Sequence, residues 1–397
     1  MKIPAPFCKR PTSVLFSNGA RGFFTLLTLG LLALALPARE LRSQDAVDAI
    51  LSIERGGRGV AAASTAAAQL YDQPVSLDVL LNKAATANPI AKNWLLSIAQ
   101  SIVDRQEADA RRQFLETLLA NQLADGELRY WALDQLSDRR PELREKLLEG
   151  RTDDPSLDIR YEAIELSLKQ LPAVDVAKDN ESIKQQLIAS CTQLLNLSRL
   201  ADQIFVINAK LKELDSEIDL RKHFGFVSDW QVVGPFDNRQ QSGFDVVYPP
   251  EAEYTQSGQL DTAQRYPGKA GEVAWQAATT DKPDGLVNLN PLVSNEKGAV
   301  VYAYANVDSP VDAECQVRFG TANANRVWVN GKESTANNVY HTGSPIDQYV
   351  GSVKLHRGSN TVLIKVCQNE QTEEWAQDFA FKLRFTDETG RAIPVTQ

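Results

Sequence analysis

The stretch DWQVVGPFDN, Asp229–Asn238, divides the chain in two. Upstream of it Ala, Leu and Glu dominate. Downstream come turns, Trp, Tyr and short apolar alternations. Within the stretch Trp230 and Val232 share one side of an extended segment, as alternation requires. Gly234-Pro235 is expected to end that strand, because proline brings no N–H to a central ladder and glycine permits a sharp bend. Phe236 is expected to plug a sheet edge, and Asp237-Asn238 to open a loop. The stretch reads as the entrance to a new domain rather than as a catalytic loop.

From Phe224 onward the apolar period is two. VVYAYANV (Val300–Val307) alternates, and CQVRFG places Cys315, Val317 and Phe319 on one face. RVWVNGKE contains Asn330-Gly331, the strongest two-residue hairpin signal. YVGSVKL and NTVLIKVCQ flank the turn HRGSN, and DFAFKLRFTD closes the domain. With DWQVV and shorter pieces near Val273 and Leu286 this makes about eight antiparallel strands, which suits a jelly-roll sandwich. Four of the six Trp and seven of the ten Tyr lie beyond residue 223. Large rings fill sandwich cores, so Trp230 and Trp328 are expected inside.

Between residues 45 and 222 the spacing is helical: DAVDAILSI puts Val47, Ile50 and Leu51 on one face. NPIAKNWLLSIAQSI, DGELRYWALDQL and PSLDIRYEAIELSL look alike. Aligning Ile90, Leu128 and Ile159 sets Trp94 near Trp131 and Arg129 over Arg160. Helix pairs repeating at such intervals mark an α-solenoid, and DPSLDIRYEAIELSL resembles the second helix of a HEAT repeat. Arg129, Arg160, Asp125 and Asp154 are then structural, bonding along the turns. GRGVAA (Gly57–Ala62) matches a loose dinucleotide fingerprint, but that chemistry needs a preceding strand and a βαβ unit. Here it reads as a turn before an Ala-rich helix over residues 60–70.

The N-terminus carries Lys2, Lys9, Arg10 and Arg21, then an uncharged apolar run from Phe23 to Leu36, then small residues at Ala33, Ala35 and Ala38. Residues 1–38 are expected to be an export signal, the run being short of the ~20 residues that span a bilayer. A secreted or periplasmic location follows, with membrane attachment only if the leader stays uncleaved. The composition, 43% hydrophobic and 23% charged, is that of a globular protein. Net charge is −9, and residues 223–397 hold 14 Lys/Arg against 21 Asp/Glu, a surface that repels phosphate backbones and argues against nucleic-acid binding.

Chemistry-bearing residues are few. Cys8 lies in the leader. Cys191, Cys315 and Cys367 form no CxxC and have no His at zinc spacing, so sulfur-bound metal is not expected. Cys315 and Cys367 can pair in an oxidising compartment, but the favoured reading is three small buried hydrophobes. Only His223, His341 and His356 exist, with no G-x-S-x-G, H-E-x-x-H or P-loop. Ser344, His341 and Asp347 form a candidate triad, though three residues of one loop rarely reach triad geometry. Glu370, Glu373, Glu374 and Asp378 are the carboxylates a glycosidase could use. No cofactor is expected beyond a structural calcium held by loop carboxylates and carbonyls, which no EF-hand spacing supports.

Two loops mix rings with amides: YHTGSPIDQY (Tyr340–Tyr349) and QNEQTEEWAQDF (Gln368–Phe379). A pyranose shows C–H groups to a ring and hydroxyls to Asn, Gln, Asp and His. The candidate ligand residues are therefore Tyr340, His341, Asp347, Gln348, Gln368, Asn369, Gln371 and Trp375.

The run VRFGTANANRVWVNGKE, then YHTGSPIDQYVGSVKLHRGSNTVLIKV, resembles the sugar-binding jelly roll of family 2 glycoside hydrolases and, more broadly, galactose-binding-like domains. Over nearly the whole mature chain the sequence is similar to secreted planctomycete-type proteins that join HEAT-like helices to this sandwich through HFGFVSDWQVVGPFDN. The resemblance implies export and architecture and brings no catalytic residues. The expectation is an exported, non-catalytic binding protein: a HEAT-like solenoid (45–222) for protein partners, then a jelly roll (223–397) for carbohydrate or another cell-envelope ligand. A protein-interaction scaffold without a sugar site and a glycoside-hydrolase-like enzyme are the alternatives.

Overall fold

A computed structural model describes residues 44–73, 75–138, 140–178 and 180–397. The expected export leader, residues 1–38, and Cys8 lie outside them. Helices occupy the first half of the chain and mostly antiparallel sheets the second. Among the described residues no helix is long and apolar enough to cross a membrane.

The helices are α1 (44–51), α2 (Val60–Asp72), α3 (Leu77–Thr86), α4 (Pro89–Val103), α5 (Ala108–Ala120), α6 (Gly126–Ser137), α7 (Pro141–Leu148), α8 (Leu157–Gln170), α9 (Val174–Lys178), α10 (Glu181–Leu197), α11 (Ala201–Glu213) and α12 (Leu220–Phe224). The chain forms two compact units, one ending at Arg111 and one running from Arg112 to Gln397. In the first, Gly59 enters α2 with φ 80°, and the start of GRGVAA is the turn before an Ala-rich helix, with no strand ahead of it among the described residues. Caps fix the helix starts: the Ser76 hydroxyl accepts from Val79 N, and Asn88 Oδ1 accepts from Ile90 N and Ala91 N with Pro89 at the first position.

In the second unit Arg129 of α6 is fully buried. Its guanidinium grips Asp154 through two bonds of 2.5 and 2.8 Å and also donates to Leu119 O. Asp154, in the turn before α8, accepts from Ser156 N as well. Burial pushes its carboxyl up, but the bonds from Arg129 and Ser156 outweigh burial and hold it below the ordinary value. Asp125 caps α6 through Leu128 N. Arg129, Asp154 and Asp125 are thus structural, as the repeat alignment anticipates.

Among the described residues there are twelve strands: β1 (Asp229–Asp237), β2 (Arg265–Pro267), β3 (Glu272–Ala274), β4 (Gln276–Thr279), β5 (Val287–Asn288), β6 (Ala299–Ser309), β7 (Ala313–Gly320), β8 (Ala324–Val329), β9 (Lys332–Asn337), β10 (Tyr349–Leu355), β11 (Gly358–Gln368) and β12 (Ala380–Thr386). They form a six-stranded sheet, β4-β1-β6-β11-β8-β9, a four-stranded sheet, β10-β7-β12-β5, and the hairpin β2-β3. The short pieces expected near Val273 and Leu286 are β3 and β5; β2 and β4, of three and four residues, are further strands too short to show alternation. Asn330 and Gly331 join β8 to β9 with φ 52° and 78°, the left-handed pair such a turn requires.

Gly234-Pro235 does not end β1. The strand runs on to Asp237, and its register against β6 shifts between Val233 and Phe236. The bulge lifts the dipeptide out of the ladder on one side. On the other, pairing with β4 has ended at Val232, and Pro235 O accepts from Lys269 N. Proline therefore withholds no bond the sheet needs. A Cβ at Gly234 would meet Val300 O at 2.9 Å.

The central strands of the six-stranded sheet are buried on both faces. Its inner face shares one apolar cluster with the other sheet: Trp230, Val232, Val301, Val327 and Ile364 against Val317, Phe319, Phe381 and Phe385. Its outer face carries Val233, Phe236, Tyr302, Trp328, Leu363 and Cys367 and is covered by Phe244, Tyr254 and Tyr266. Trp230 and Trp328 are both buried, on opposite faces. The three described cysteines are free and buried, and Cys315 (inner cluster) and Cys367 (outer cluster) do not pair.

Lys365 projects from β11 into the outer layer with no exposure. Its ammonium donates to Phe244 O, Val246 O and, at 2.9 Å, to Glu251 Oε2 of α13 (Pro249–Ser257). The Tyr302 hydroxyl donates to the same oxygen at 2.6 Å. Removing one member of such a pair strands the other charge. Lys365→Met is expected to cost about 3–5 kcal/mol in urea unfolding of the purified protein; a loss under about 1 kcal/mol would show that the network does not hold the outer layer.

Candidate functional site

One end of the sandwich is assembled around Asn238, the last residue of the stretch that opens the domain. Asn238 is fully buried. Its Nδ2 donates to Gln368 O at 2.8 Å and to the Tyr340 hydroxyl at 3.2 Å, and its Oδ1 accepts from Gly243 N. The ends of β1 and β11 and the loop after β9 thus meet on one side chain. Burial pushes the Tyr340 hydroxyl up to about 12, so it stays protonated.

From Tyr340 the chain turns through His341, whose φ is 61° and whose N–H bonds Ala322 O. His341 Nε2 lies 2.8 Å from Asn369 Nδ2, and its ring meets Trp375 edge-on, 4.8 Å between centroids at 80°. Asn369 in turn donates to Gln371 Oε1 and accepts from Gln371 N. Trp375, in a short 3-10 turn, is 60% exposed. An open cleft of about 580 Å³ is lined by Gln240, Gln241, Asn369, Glu370, Gln371, Thr372 and Glu373, and its Asn369 is the residue that His341 meets. Gln240 and Gln241 hold φ of 55° and 59°, uncommon for residues with side chains, and Gln240 N donates to Glu370 Oε2.

Beneath these loops lie unsatisfied amides. Val366 faces the inner cluster and Cys367 the outer one, so Gln368 faces inward. It is fully buried, and neither amide atom has a hydrogen-bond partner. Asn323, one step past the Ala324–Cys367 pair of the ladder, is also buried, and its Nδ2 is unpartnered. Each such group costs about 1–3 kcal/mol, and native interiors hold few of them.

Of the eight expected residues, six converge here: Tyr340, His341, Gln368, Asn369, Gln371 and Trp375. Gln348 is spent on the loop itself, accepting from Thr321 N and donating to Thr342 Oγ1. Asp347 is turned elsewhere: Arg318 and Arg384 take its carboxylate at 2.8 Å or closer. With Asp347 so bound and His341 on Asn369, no hydrogen bond links Ser344, His341 and Asp347 among the described residues. Glu370, Glu373, Glu374 and Asp378 are exposed. Among the described residues no group of three or more His, Cys, Asp or Glu side chains is placed to hold a metal ion.

Asn238, Asn323, Gln240 and Gln241 were not legible as site residues. Asp237-Asn238 marked the opening of a loop, but only tertiary contact brings it to β11. No protein-family model matches the chain, and no curated protein matches it.

Burial raises the Asp347 carboxyl, but the bonds and charges of Arg384 and Arg318 outweigh it and hold the group below its ordinary 3.8. Its stabilising contribution is therefore complete above that value and is lost as pH falls through the lower folded-state value. Asp347→Asn is expected to flatten this acid limb in stability measured against pH. An unchanged limb would show that the two arginines are not what depresses the group.

Proposed function

We propose that this is an exported, non-catalytic binding protein whose sandwich end takes a carbohydrate or similarly hydroxyl-rich cell-envelope ligand. The observation that carries this reading is the exposed Trp375, held edge-on by His341, whose ring nitrogen meets Asn369, one of the amides that with Gln371, Gln240 and Gln241 line an open cleft. A sugar offers C–H groups to such a ring and hydroxyls to such amides. Two sheets packed on a common core agree with a galactose-binding-like jelly roll, and the helix pairs with a HEAT-like solenoid. The solenoid is the surface for protein partners, and α11 shows Phe205 and Val206 to solvent.

A glycan array probed with the full mature chain tests the reading. Retention of one glycan class is expected, and Trp375→Ala and Asn369→Ala are each expected to weaken it about tenfold, ~1.4 kcal/mol. An array on which the folded protein retains nothing would remove carbohydrate as the ligand. Retention unchanged in both variants would move the site elsewhere.

A further inference from the structure

The amides of the cleft are wired to one titratable ring. Gln371 N, a main-chain N–H that can only donate, meets Asn369 Oδ1 at 3.2 Å. That contact fixes which end of the Asn369 amide is oxygen, because the reverse placement would set two donors face to face. The other end, Nδ2, spends its two hydrogens on Gln371 Oε1 and His341 Nε2, each 2.8 Å away. An amide NH2 group only donates. His341 Nε2 therefore accepts, and the neutral ring carries its proton on Nδ1. Asn369 is buried, so water is a poor substitute for either partner.

A second proton does not fit this arrangement. An imidazolium donates from both nitrogens, so Nε2–H would meet the Asn369 NH2 group across 2.8 Å. Turning the Asn369 amide over would satisfy the ring, but it would set Nδ2 against Gln371 N and Oδ1 against Gln371 Oε1. Protonation thus breaks either the His341–Asn369 bond or the Asn369–Gln371 pair. Asn369 and Gln371 both line the cleft, and the same ring meets Trp375.

Four elements surround the ring: its own loop, the turn between β7 and β8 that accepts its N–H, the end of β11 and the 3-10 turn of Trp375. The β7–β8 turn, Thr321-Ala322-Asn323, has no ionisable side chain. In its own loop Tyr340 is pushed up to about 12 by burial, and Asp347 is taken by Arg318 and Arg384. Past β11, Glu370 accepts from Gln240 N. Around Trp375, Glu373, Glu374 and Asp378 are exposed, and Lys297 donates to Ala376 O. Among the described residues the only histidine ion-paired with a carboxylate is His356.

We propose that His341 is a proton switch for the cleft: neutral, it holds Asn369 and Gln371 in the arrangement that lines the site; protonated, it releases them and the site lets its ligand go. The switch acts on the site proposed above for a hydroxyl-rich ligand and rests on that reading. It makes the ligand one that is held near neutral pH and released in mildly acidic surroundings, the range in which a histidine changes charge.

Two experiments on the full mature chain test it, the first without ligand. Nitrogen NMR, with the His341 signals recognised by their loss in His341→Gln, is expected to show the neutral ring protonated on Nδ1. One side-chain NH2 pair, absent in Asn369→Ala, is expected to shift with the His341 titration. A neutral ring protonated on Nε2, or an Asn369 NH2 pair that ignores the titration, would overturn the proposal. In the second experiment the glycan class retained on the array is measured again at about pH 7.5 and about pH 5.5, on either side of the histidine range. Retention about tenfold weaker at the lower pH is expected. In His341→Gln, whose Oε1 accepts from Asn369 at either pH, the two values are expected to agree. Equal retention at both pH values in the wild type, or a difference that survives His341→Gln, would also overturn the proposal. An array that retains nothing removes carbohydrate as the ligand, while the NH2 shift, read without ligand, still supports or sinks the switch.

Discussion

A sheet whose central strands are apolar on both sides must be covered twice. β6 and β11 alternate between two clusters rather than between core and solvent, and every other feature of the sandwich follows from that demand. The four-stranded sheet covers one face. Residues 239–275 cover the other, and Lys365 pins them by putting its charge on Glu251 and on the carbonyls of Phe244 and Val246. An ion pair so placed contributes little net stability against a well-packed apolar replacement of both partners, but it penalises any arrangement of the cover that leaves the ammonium unpaired.

The same cover builds the candidate site. It leaves β1 at Asn238, and Asn238 holds both Tyr340 and the end of β11. Tyr340 delivers His341, and His341 supports Trp375. An exposed ring thus rests on a chain of contacts that begins in a buried asparagine. The rigid part of the site comes from strands and the accessible part from loops, the usual division in binding domains.

In the helical region, charge decides what packing alone does not. Arg129 and Asp154 satisfy each other in a dry environment, whereas Arg160 donates to the backbone carbonyls of Asp154 and Asp153. The corresponding arginines of the two helix pairs differ in what they bond, a carboxylate in one and backbone carbonyls in the other.

Local chemistry was readable without the fold. The change of period at Phe224, the Asn330-Gly331 hairpin and the ring-and-amide mixture of the two loops each depend on neighbours a few residues away. Gly234-Pro235 shows where that stops: its identity argued for a strand end, yet the strand continues, because the bulge and the lost β4 partner are properties of neighbours more than 40 residues distant. The very short strands, the second buried face, the diversion of Asp347 to Arg384 and the orphaning of Gln368 beside Asn323 are equally long-range. Periodicity states which side of a strand a residue occupies. Only the tertiary structure decides what stands opposite it, since a buried polar group takes its meaning from the partner it finds or lacks.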